Sequence, residues 1–400
     1  MQNYTSSLER KRNYVLAIVV VAMIAFVLSN LDFPPVSKLV SAQYGLTNAE
    51  TGLVTSFFFI PYASMQIPGG YLADRYGSAR TLLVATFIMG LAPLLFLYGG
   101  SINSIYVSRA IAGASGGVAF PSMVRLLSQS FPRKELGKAM GLFGSANGAG
   151  QLVASSLLPL IVLGTNWRPP LDATVAYTLF ATCLLIFPVR WAGSFSEILS
   201  GTIPKIDVRG LFTRNMFALM LPNFSSVAVV FASFAWAADF LTTAFKISNV
   251  AAGGIVALIG LATIVGSYCG GISDRILGSR LTMFVSMILL FLFTLLFGFA
   301  SSIDEAALLV FGIGFGANLY FATDFSLIPF ASKQGLEVAG VTFGVFNTMS
   351  NVGSVIAPLI FGIILDATRQ SFSVGFAALA LIALLGIIGS LMLKLSALHH

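Results

Sequence analysis

The segment GGYLADRYGSAR, from Gly69 to Arg80, recurs in the second half of the chain as GGISDRILGSR, from Gly270 to Arg280. An offset of 200 residues separates the two Asp-Arg pairs. A repeat that keeps its register over such a distance predicts two homologous halves. The same offset relates Asp74 to Asp274, Phe143 to Phe343, Gly144 to Gly344 and Asn147 to Asn347.

The composition excludes a soluble protein. Of the 400 residues, 57% are hydrophobic and only 9% are charged, with a mean hydropathy of +0.91. Soluble domains carry roughly a quarter charged residues, so most of this chain's surface must face lipid. The GxxxxGK[ST] phosphate loop is missing, the two histidines sit at the chain end, and the two cysteines lie in apolar runs. These features favour neither an enzyme, nor an ATP-driven pump, nor a metal or cofactor site.

Twelve mainly apolar runs are each long enough to cross a bilayer, which takes about 20 residues. Backbone groups in lipid must be hydrogen-bonded internally, so the runs are predicted to be helices. The interpretation is an N-terminal bundle (1–191), a cytoplasmic linker (192–214) and a C-terminal bundle (215–400). The runs lie near 14–40, 48–71, 79–99, 103–128, 137–163, 172–190, 215–244, 249–272, 280–300, 305–330, 338–363 and 371–394.

The basic residues behind the formal charge of +7 are distributed as membrane topology predicts, and not as a nucleic-acid-binding surface. With the amino terminus inside, the lysines and arginines of the loops cluster on the inner side, as in most multi-pass proteins. Both termini are therefore predicted to be cytoplasmic, in an inner or plasma membrane. Only Lys38, Arg168, Lys246 and Arg369 fall on the outer side.

The repeated stretch resembles the loop signature of the major facilitator superfamily, Gly-x-x-x-Asp-Arg-x-Gly followed by an arginine. The resemblance extends from Tyr14 to Leu393. It implies an all-α membrane protein with twelve transmembrane helices in two six-helix bundles, a monomer that moves a small solute by alternating access. The first copy matches at Gly70, Asp74, Arg75, Gly77 and Arg80, and the second at Gly270, Asp274, Arg275 and Arg280.

Within that superfamily, SRAIAGASGGVAFPS (108–122) and FPRKELGKAMG (131–141) resemble the anion–cation symporter branch. The chain departs from the branch in having Asp32-Phe33 where an Asp-Arg pair is usual. It also has no glutamate in the glycine run of the fourth span. The glycine-rich pattern of proton–drug antiporters is absent from the fifth span, 141–159.

Charged residues inside spans are costly and mark functional sites by default. Asp32 and Arg109 fall at comparable depth in the outer half of spans 1 and 4. One hypothesis is that both face an outer vestibule, where Asp32 binds the coupling proton. The alternative is a permanent ion pair that orients the helices. Asp239, which a looser repeat of 31–38 relates to Asp32, is expected to contact solute, to be solvated, or to pair with Lys246.

Four uncharged polar residues in the spans are candidates for hydrogen bonding to a solute. Asn147 and Asn347 are related by the repeat, and Tyr62 and Gln66 share one face of the second span. The alternative for all four is helix packing through hydrogen bonds.

Arg125 and Asp324, at the inner ends of spans 4 and 10, are candidate gating residues. They either bridge the two halves, or each completes the charge cluster of its own half, Arg125 with Asp74 and Asp324 with Arg280. The loop motif is expected to act on conformation, with Gly70 allowing close approach of helices.

The function these features favour is proton-coupled symport of a small polar or anionic metabolite. An uncoupled facilitator, a proton-coupled exporter of drugs or metabolites and a non-transporting membrane sensor stay open as alternatives. The expected partners are a solute, protons and lipid, without nucleic acid.

Overall fold

A computed structural model describes residues 2–131, 133–162, 164–191, 210, 212–321, 323, 327–328, 331 and 339–393. Within these ranges the chain is built from α-helices. The predicted linker, 192–214, and Asp324 lie largely or wholly outside them, so the boundaries of the two halves stay a prediction.

The first half contains seven helical segments in the described ranges, and the second half continues the series after the linker. In order they are α1 (Gln2–Leu31), α2 (Ser37–Tyr44), α3 (Asn48–Tyr76), α4 (Ser78–Tyr98), α5 (Ile102–Ser130), α6 (Arg133–Leu157), α7 (Arg168–Trp191), α8 (Arg214–Phe245), α9 (Asn249–Val256), α10 (Leu258–Leu277), α11 (Ser279–Phe297), α12 (Ile303–Asn318), α13 (Ala339–Ser350), α14 (Val352–Ala367) and α15 (Phe372–Met392).

These segments make twelve membrane-spanning helices in two six-helix bundles, as predicted. Nine spans in the described ranges are long and apolar enough by themselves, and α3, α6 and α12 complete the set. Three spans are interrupted, so that α1 with α2, α9 with α10, and α13 with α14 each form one crossing. The first interruption is at Pro34 and Pro35, because proline has no N–H to continue the helical ladder.

The turn between α3 and α4 explains one glycine of the repeated motif. Gly77 has φ +91°, and its counterpart Gly278 between α10 and α11 has φ +80°. Side-chain-bearing residues rarely adopt such values, so glycine permits the reversal in both halves.

Glycines also let helices within a bundle approach closely. A Cβ added at Gly113 of α5 would lie 1.9 Å from the carbonyl oxygen of Phe58 in α3, and one at Gly117 would lie 2.4 Å from that of Tyr62. Close backbone approach through small residues is the usual packing of membrane helices. These contacts place the side chains of α3 and α5 that form the polar sites described below.

The two bundles touch along two seams, α3 against α14 and α6 against α9 and α10. A Cβ added at Gly52 would lie 2.4 Å from the carbonyl oxygen of Pro358, and one at Gly253 would lie 2.4 Å from that of Ser155. Both contacts lie at the ends predicted to be extracellular. The outer ends of the bundles are therefore closed against each other.

We expect Gly253→Ala to weaken this closure and Gly254→Ala to leave it intact. The added methyl group at 253 meets Ser155 and Pro159, whereas nothing lies within 4 Å of the corresponding position at 254. Overpacking costs about 1–3 kcal/mol, and the gain in helix propensity is the same for both substitutions. The midpoint of thermal unfolding, together with spin-label distances between the outer ends, measures the difference. Equal behaviour of the two variants would contradict the close seam.

Candidate functional site

A buried ion pair joins α1 to α5. Arg109 Nη1 lies 2.6 Å from Asp32 Oδ1, and the two side chains are only 2% and 3% exposed. The same guanidinium donates to the carbonyl oxygens of Ser29 and Asn30, each at 2.9 Å. These carbonyls belong to the last turn of α1, where they have no helical partner and where the helix dipole favours a cation.

The local sequence explains why the Asn30 carbonyl is free. A continuous helix would use the N–H of residue 34 to bond the carbonyl of Asn30, and Pro34 has none. Arg109 therefore takes the place of a missing backbone donor while it neutralises Asp32. The observed contacts are therefore those of an ion pair that orients α1 and α5, which is the second of the two hypotheses for Asp32 and Arg109.

The outer vestibule expected beside this pair is closed here. The Phe58 ring lies 4.8 Å from the Arg109 guanidinium carbon. Three buried atoms next to the pair have no hydrogen-bond partner among the described residues, namely Arg109 Nε, Asn30 Oδ1 and Ser29 Oγ. The site therefore contains donor and acceptor atoms that make no hydrogen bond to the described residues.

A second polar cluster crosses the seam between the bundles at α3 and α13. Asn347 Nδ2 donates to Gln66 Oε1 at 2.5 Å, and the Tyr62 hydroxyl lies beside both amides. Asn351 donates to the Asn347 side-chain oxygen at 3.1 Å. Gln66 Nε2 is buried without a partner in the described part of the chain. Three of the four predicted uncharged residues thus meet in one place.

The fourth, Asn147, belongs to a matching cluster on the opposite seam. Gln151 Nε2 donates to Asn147 Oδ1 at 3.0 Å, and its Oε1 accepts from Thr263 of α10 at 3.2 Å. Asn318 of α12 donates to the Thr263 hydroxyl at 3.1 Å. Sequence reasoning missed Gln151, although the repeat offset that links the two asparagines also links it to Asn351.

At the outer end, Asp239 contacts the other bundle. Lys38 Nζ lies 3.5 Å from Asp239 Oδ1 and also donates to Thr242. The pairing of Asp239 with Lys246 is therefore wrong. Lys246 ends α8 in a left-handed conformation, with φ +55°, so it does not continue the helical face on which Asp239 lies.

A second outer contact was not predicted. The Asp366 carboxylate at the end of α14 accepts from the Asn48 and Ala49 backbone N–H groups at 3.2 and 2.9 Å, and from Asn48 Nδ2 at 2.7 Å. Helix amino termini favour anions, so a residue of one bundle caps α3 of the other. The two contacts hold the outer ends together.

At the inner end, the first loop motif is held within its own bundle. Arg125 of α5 pairs with Asp74, as in the alternative that keeps the cluster within one half. In the second half Asp274 accepts from the Thr323 hydroxyl at 3.0 Å, and Arg280 donates to the Leu391 carbonyl at 2.9 Å. The proposed partner Asp324 lies outside the described residues.

The role expected for Gly70 belongs to its neighbour. Nothing lies within 4 Å of a Cβ placed at Gly70, whereas one at Gly69 would lie 2.6 Å from Val118 Cα. In the second copy a Cβ added at Gly270 would lie 1.9 Å from the Leu319 carbonyl oxygen. One residue turns a helix by about 100°, so of the first pair only Gly69 faces the neighbouring helix.

Paired bundles with polar clusters on their seams, closed at one end, define the class of membrane transporters that open to alternate sides. A family model for the Major Facilitator Superfamily matches residues 14–358, and the chain belongs to this family. Its family and relatives are transporters of small molecules. In the described part of the chain, no group of three or more metal-binding side chains is found.

Relatives extend over nearly the whole chain. It is 26% identical to the probable sulfoacetate transporter SauU of Cupriavidus necator, covering 90% of this chain and 88% of that protein. It is 24% identical to the D-galactonate transporter of Escherichia coli, covering 96% of each. A bacterial homologue of the human lysosomal transporter Spinster, solved in an inward-facing and occupied conformation, shares the fold with a TM-score of 0.76 at 14% identity, covering 96% of this chain and 98% of that one.

We expect Asp366→Ala to open the outer side. In a background with both native cysteines replaced by alanine, Ala238→Cys places a thiol in the outer pocket beside Asp239. Hydrogen bonds to a charged group contribute about 1.5–3 kcal/mol, and their loss in Asp366→Ala should raise the population of the outward-open state accordingly. The introduced thiol should therefore react about tenfold faster or more with an impermeant maleimide.

Asp304→Ala is the matched control for this labelling. Asp304 is an exposed acid near the amino end of α12, without a hydrogen bond or ion pair in the described ranges. Its replacement should leave the labelling rate unchanged. If Asp366→Ala labels no faster than this control, Asp366 does not hold the outer ends closed.

Proposed function

We propose that this multi-pass membrane protein, with both termini in the cytoplasm, is a secondary transporter that carries a small organic anion together with a proton. The observation that carries the proposal is the buried pair of Arg109 and Asp32, at 2.6 Å, with Arg109 Nε left unpaired. A membrane-buried carboxylate beside a cation with spare donors is an arrangement that can bind a proton and an anion together.

The names of two relatives support an anionic solute. Sulfoacetate and D-galactonate are small organic anions, which differ in size but share a charged head group. A guanidinium binds carboxylate and sulfonate oxygens through paired hydrogen bonds. Arg109 is the arginine in the interior of the first bundle that offers such donors.

Protonation of Asp32 is the step that couples the two substrates in this proposal. While Asp32 is ionised, it neutralises Arg109 and competes with a solute anion for the same Nη group. Binding of a proton removes that competitor and leaves Arg109 with a net positive charge in an apolar site, where Coulomb attraction is strong. The anion then replaces Asp32 as the partner, and proton and anion move together.

The amide clusters supply specificity in this scheme. Tyr62, Gln66 and Asn347 on one seam, and Asn147 on the other, offer donors and acceptors near the middle of the membrane. Their hydrogen bonds cross between helices that must shift when the bundles rock, so a solute with hydroxyl groups can exchange with them. Asp239 takes part through the outer contact with Lys38, which must break when the outside opens.

The two halves, 1–191 and 215–400, are proposed to rock about this centre. Transporters of this plan bind their substrates at the interface of the repeats. Closure of the outer ends by Lys38 and Asp366 belongs to one state. The loop motifs around Asp74 and Asp274 are proposed to stabilise the inner ends in the other.

Asp32→Asn tests the coupling step. Asparagine cannot bind the proton. We therefore expect proteoliposomes containing this variant to lose solute accumulation driven by an inwardly directed proton gradient, with the outside more acidic than the lumen. They should keep the exchange of labelled for unlabelled solute. The panel contains sulfoacetate, D-galactonate and related mono- and dicarboxylates, first screened by thermal stabilisation, because a ligand that binds only the folded state raises its stability. Asp172→Asn, at an exposed carboxylate of α7, is the control and should transport like the unmodified chain.

The same assay separates the other functions. Transport by the unmodified chain that ignores the pH gradient identifies an uncoupled facilitator. Accumulation driven by the opposite gradient identifies an exporter, and ligand binding without any flux identifies a sensor. If Asp32→Asn keeps full gradient-driven accumulation, Asp32 is not the coupling group.

A further inference from the structure

A groove on the surface of the first bundle is lined by residues of that bundle alone. It lies between α3 and α4, with α5 behind it, and contains about 1090 Å³ of space not filled by protein atoms. Each helix contributes one face, as the helical spacing of the lining residues shows. They include Met65 and Tyr76 of α3, Arg80, Val84 and Ile88 of α4, and Ala114 of α5.

The groove has the length of one leaflet of a bilayer. Along α4 it extends from Arg80 to Ile88, about 12 Å, and along α3 from Met65 to Tyr76, about 16 Å. The hydrocarbon core of a bilayer is about 30 Å thick, so one leaflet spans about 15 Å. The wall is almost entirely apolar, and all of its residues belong to the first bundle. An acyl chain that runs parallel to the helices fits this shape.

The polar end of the groove is positively charged. Arg80 is exposed, and it has no hydrogen bond or ion pair in the described ranges. The Arg75 guanidinium lies 5.4 Å from the centre of the Tyr76 ring, which lines the same end. The nearby carboxylate, Asp74, is already paired with Arg125. Two guanidinium groups at head-group level therefore lack a carboxylate partner in the described ranges, although Arg75 also donates to the Tyr71 hydroxyl at 3.3 Å.

The second copy of the motif shows that this feature is not a general property of the repeat. Arg280 corresponds to Arg80, yet its Nη2 donates to the Leu391 carbonyl at 2.9 Å. The protein itself thus bonds the arginine of one half, whereas that of the other half has no partner in the part of the chain that the structure describes.

We propose that this groove binds an anionic phospholipid of the cytoplasmic leaflet, with one acyl chain between α3 and α4 and the phosphate on Arg80. The leaflet follows from the distribution of lysine and arginine along the chain. The site is independent of the transported solute. The groove is lined in part by α3 and α5, the helices that carry Asp74 and Arg125. The lipid therefore contacts the helices whose loop motif is proposed to change partners when the inner side opens or closes.

Native mass spectrometry of the purified full-length chain tests the proposal. The protein is mixed with equal amounts of phosphatidylglycerol and phosphatidylcholine that carry identical acyl chains. We expect one phosphatidylglycerol to be retained in preference. An arginine near an anionic head group favours it about fivefold, so Arg80→Gln should reduce the preference by that factor, whereas Arg280→Gln should leave it unchanged.

A groove-filling variant tests the acyl chain separately. Val84 lines the groove and is 56% exposed, so Val84→Trp fills the space without disturbing the core. It should lower the occupancy of both lipids, and Ala114→Leu should do the same from the α5 side. The proposal is overturned if Arg80→Gln keeps the preference for phosphatidylglycerol, or if Val84→Trp and Ala114→Leu both keep full lipid occupancy. A dimer that Val84→Trp dissociates also overturns it, because a second copy of the chain would then be the occupant.

Discussion

The arrangement of the first bundle depends on how a guanidinium is accommodated among apolar helices. A buried charge is tolerated only when it is paired and its donors are satisfied. The two Nη groups of Arg109 meet most of this demand through the Asp32 carboxylate and two carbonyls of the last turn of α1, and only Nε is left without a partner among the described residues. Those carbonyls are free because the helix stops before Pro34. The helix break and the buried charge therefore require each other.

The two halves repeat a fold but not all of its contacts. Gly77 and Gly278 adopt the same unusual backbone conformation, since both halves must reverse direction at that loop. The arginines that follow differ, because Arg280 donates to a carbonyl and Arg80 makes no such bond to the residues described. The shared backbone thus supports contacts that specialise each half, one toward the bilayer and one toward its own helices.

Sequence reasoning predicted the twelve spans and their repeat, because lipid imposes a length and an apolar composition that are visible in one dimension. It also predicted the pairing of Arg125 with Asp74 as one of two alternatives. It was wrong about the partner of Asp239, which comes from a residue about two hundred positions away. Contacts between bundles depend on how two rigid bodies meet, and no periodicity within either body encodes that. The choice of Gly70 over Gly69 failed because the pattern did not say which of two adjacent residues faces α5.

The two sides of the contact made by Asp366 differ in their sensitivity to mutation. Two of its three hydrogen bonds come from backbone N–H groups, which every residue except proline supplies. The sequence at positions 48 and 49 can therefore drift widely while the contact survives, whereas the carboxylate at 366 has few substitutes. Over evolutionary time, the two sides of this contact should diverge at very different speeds.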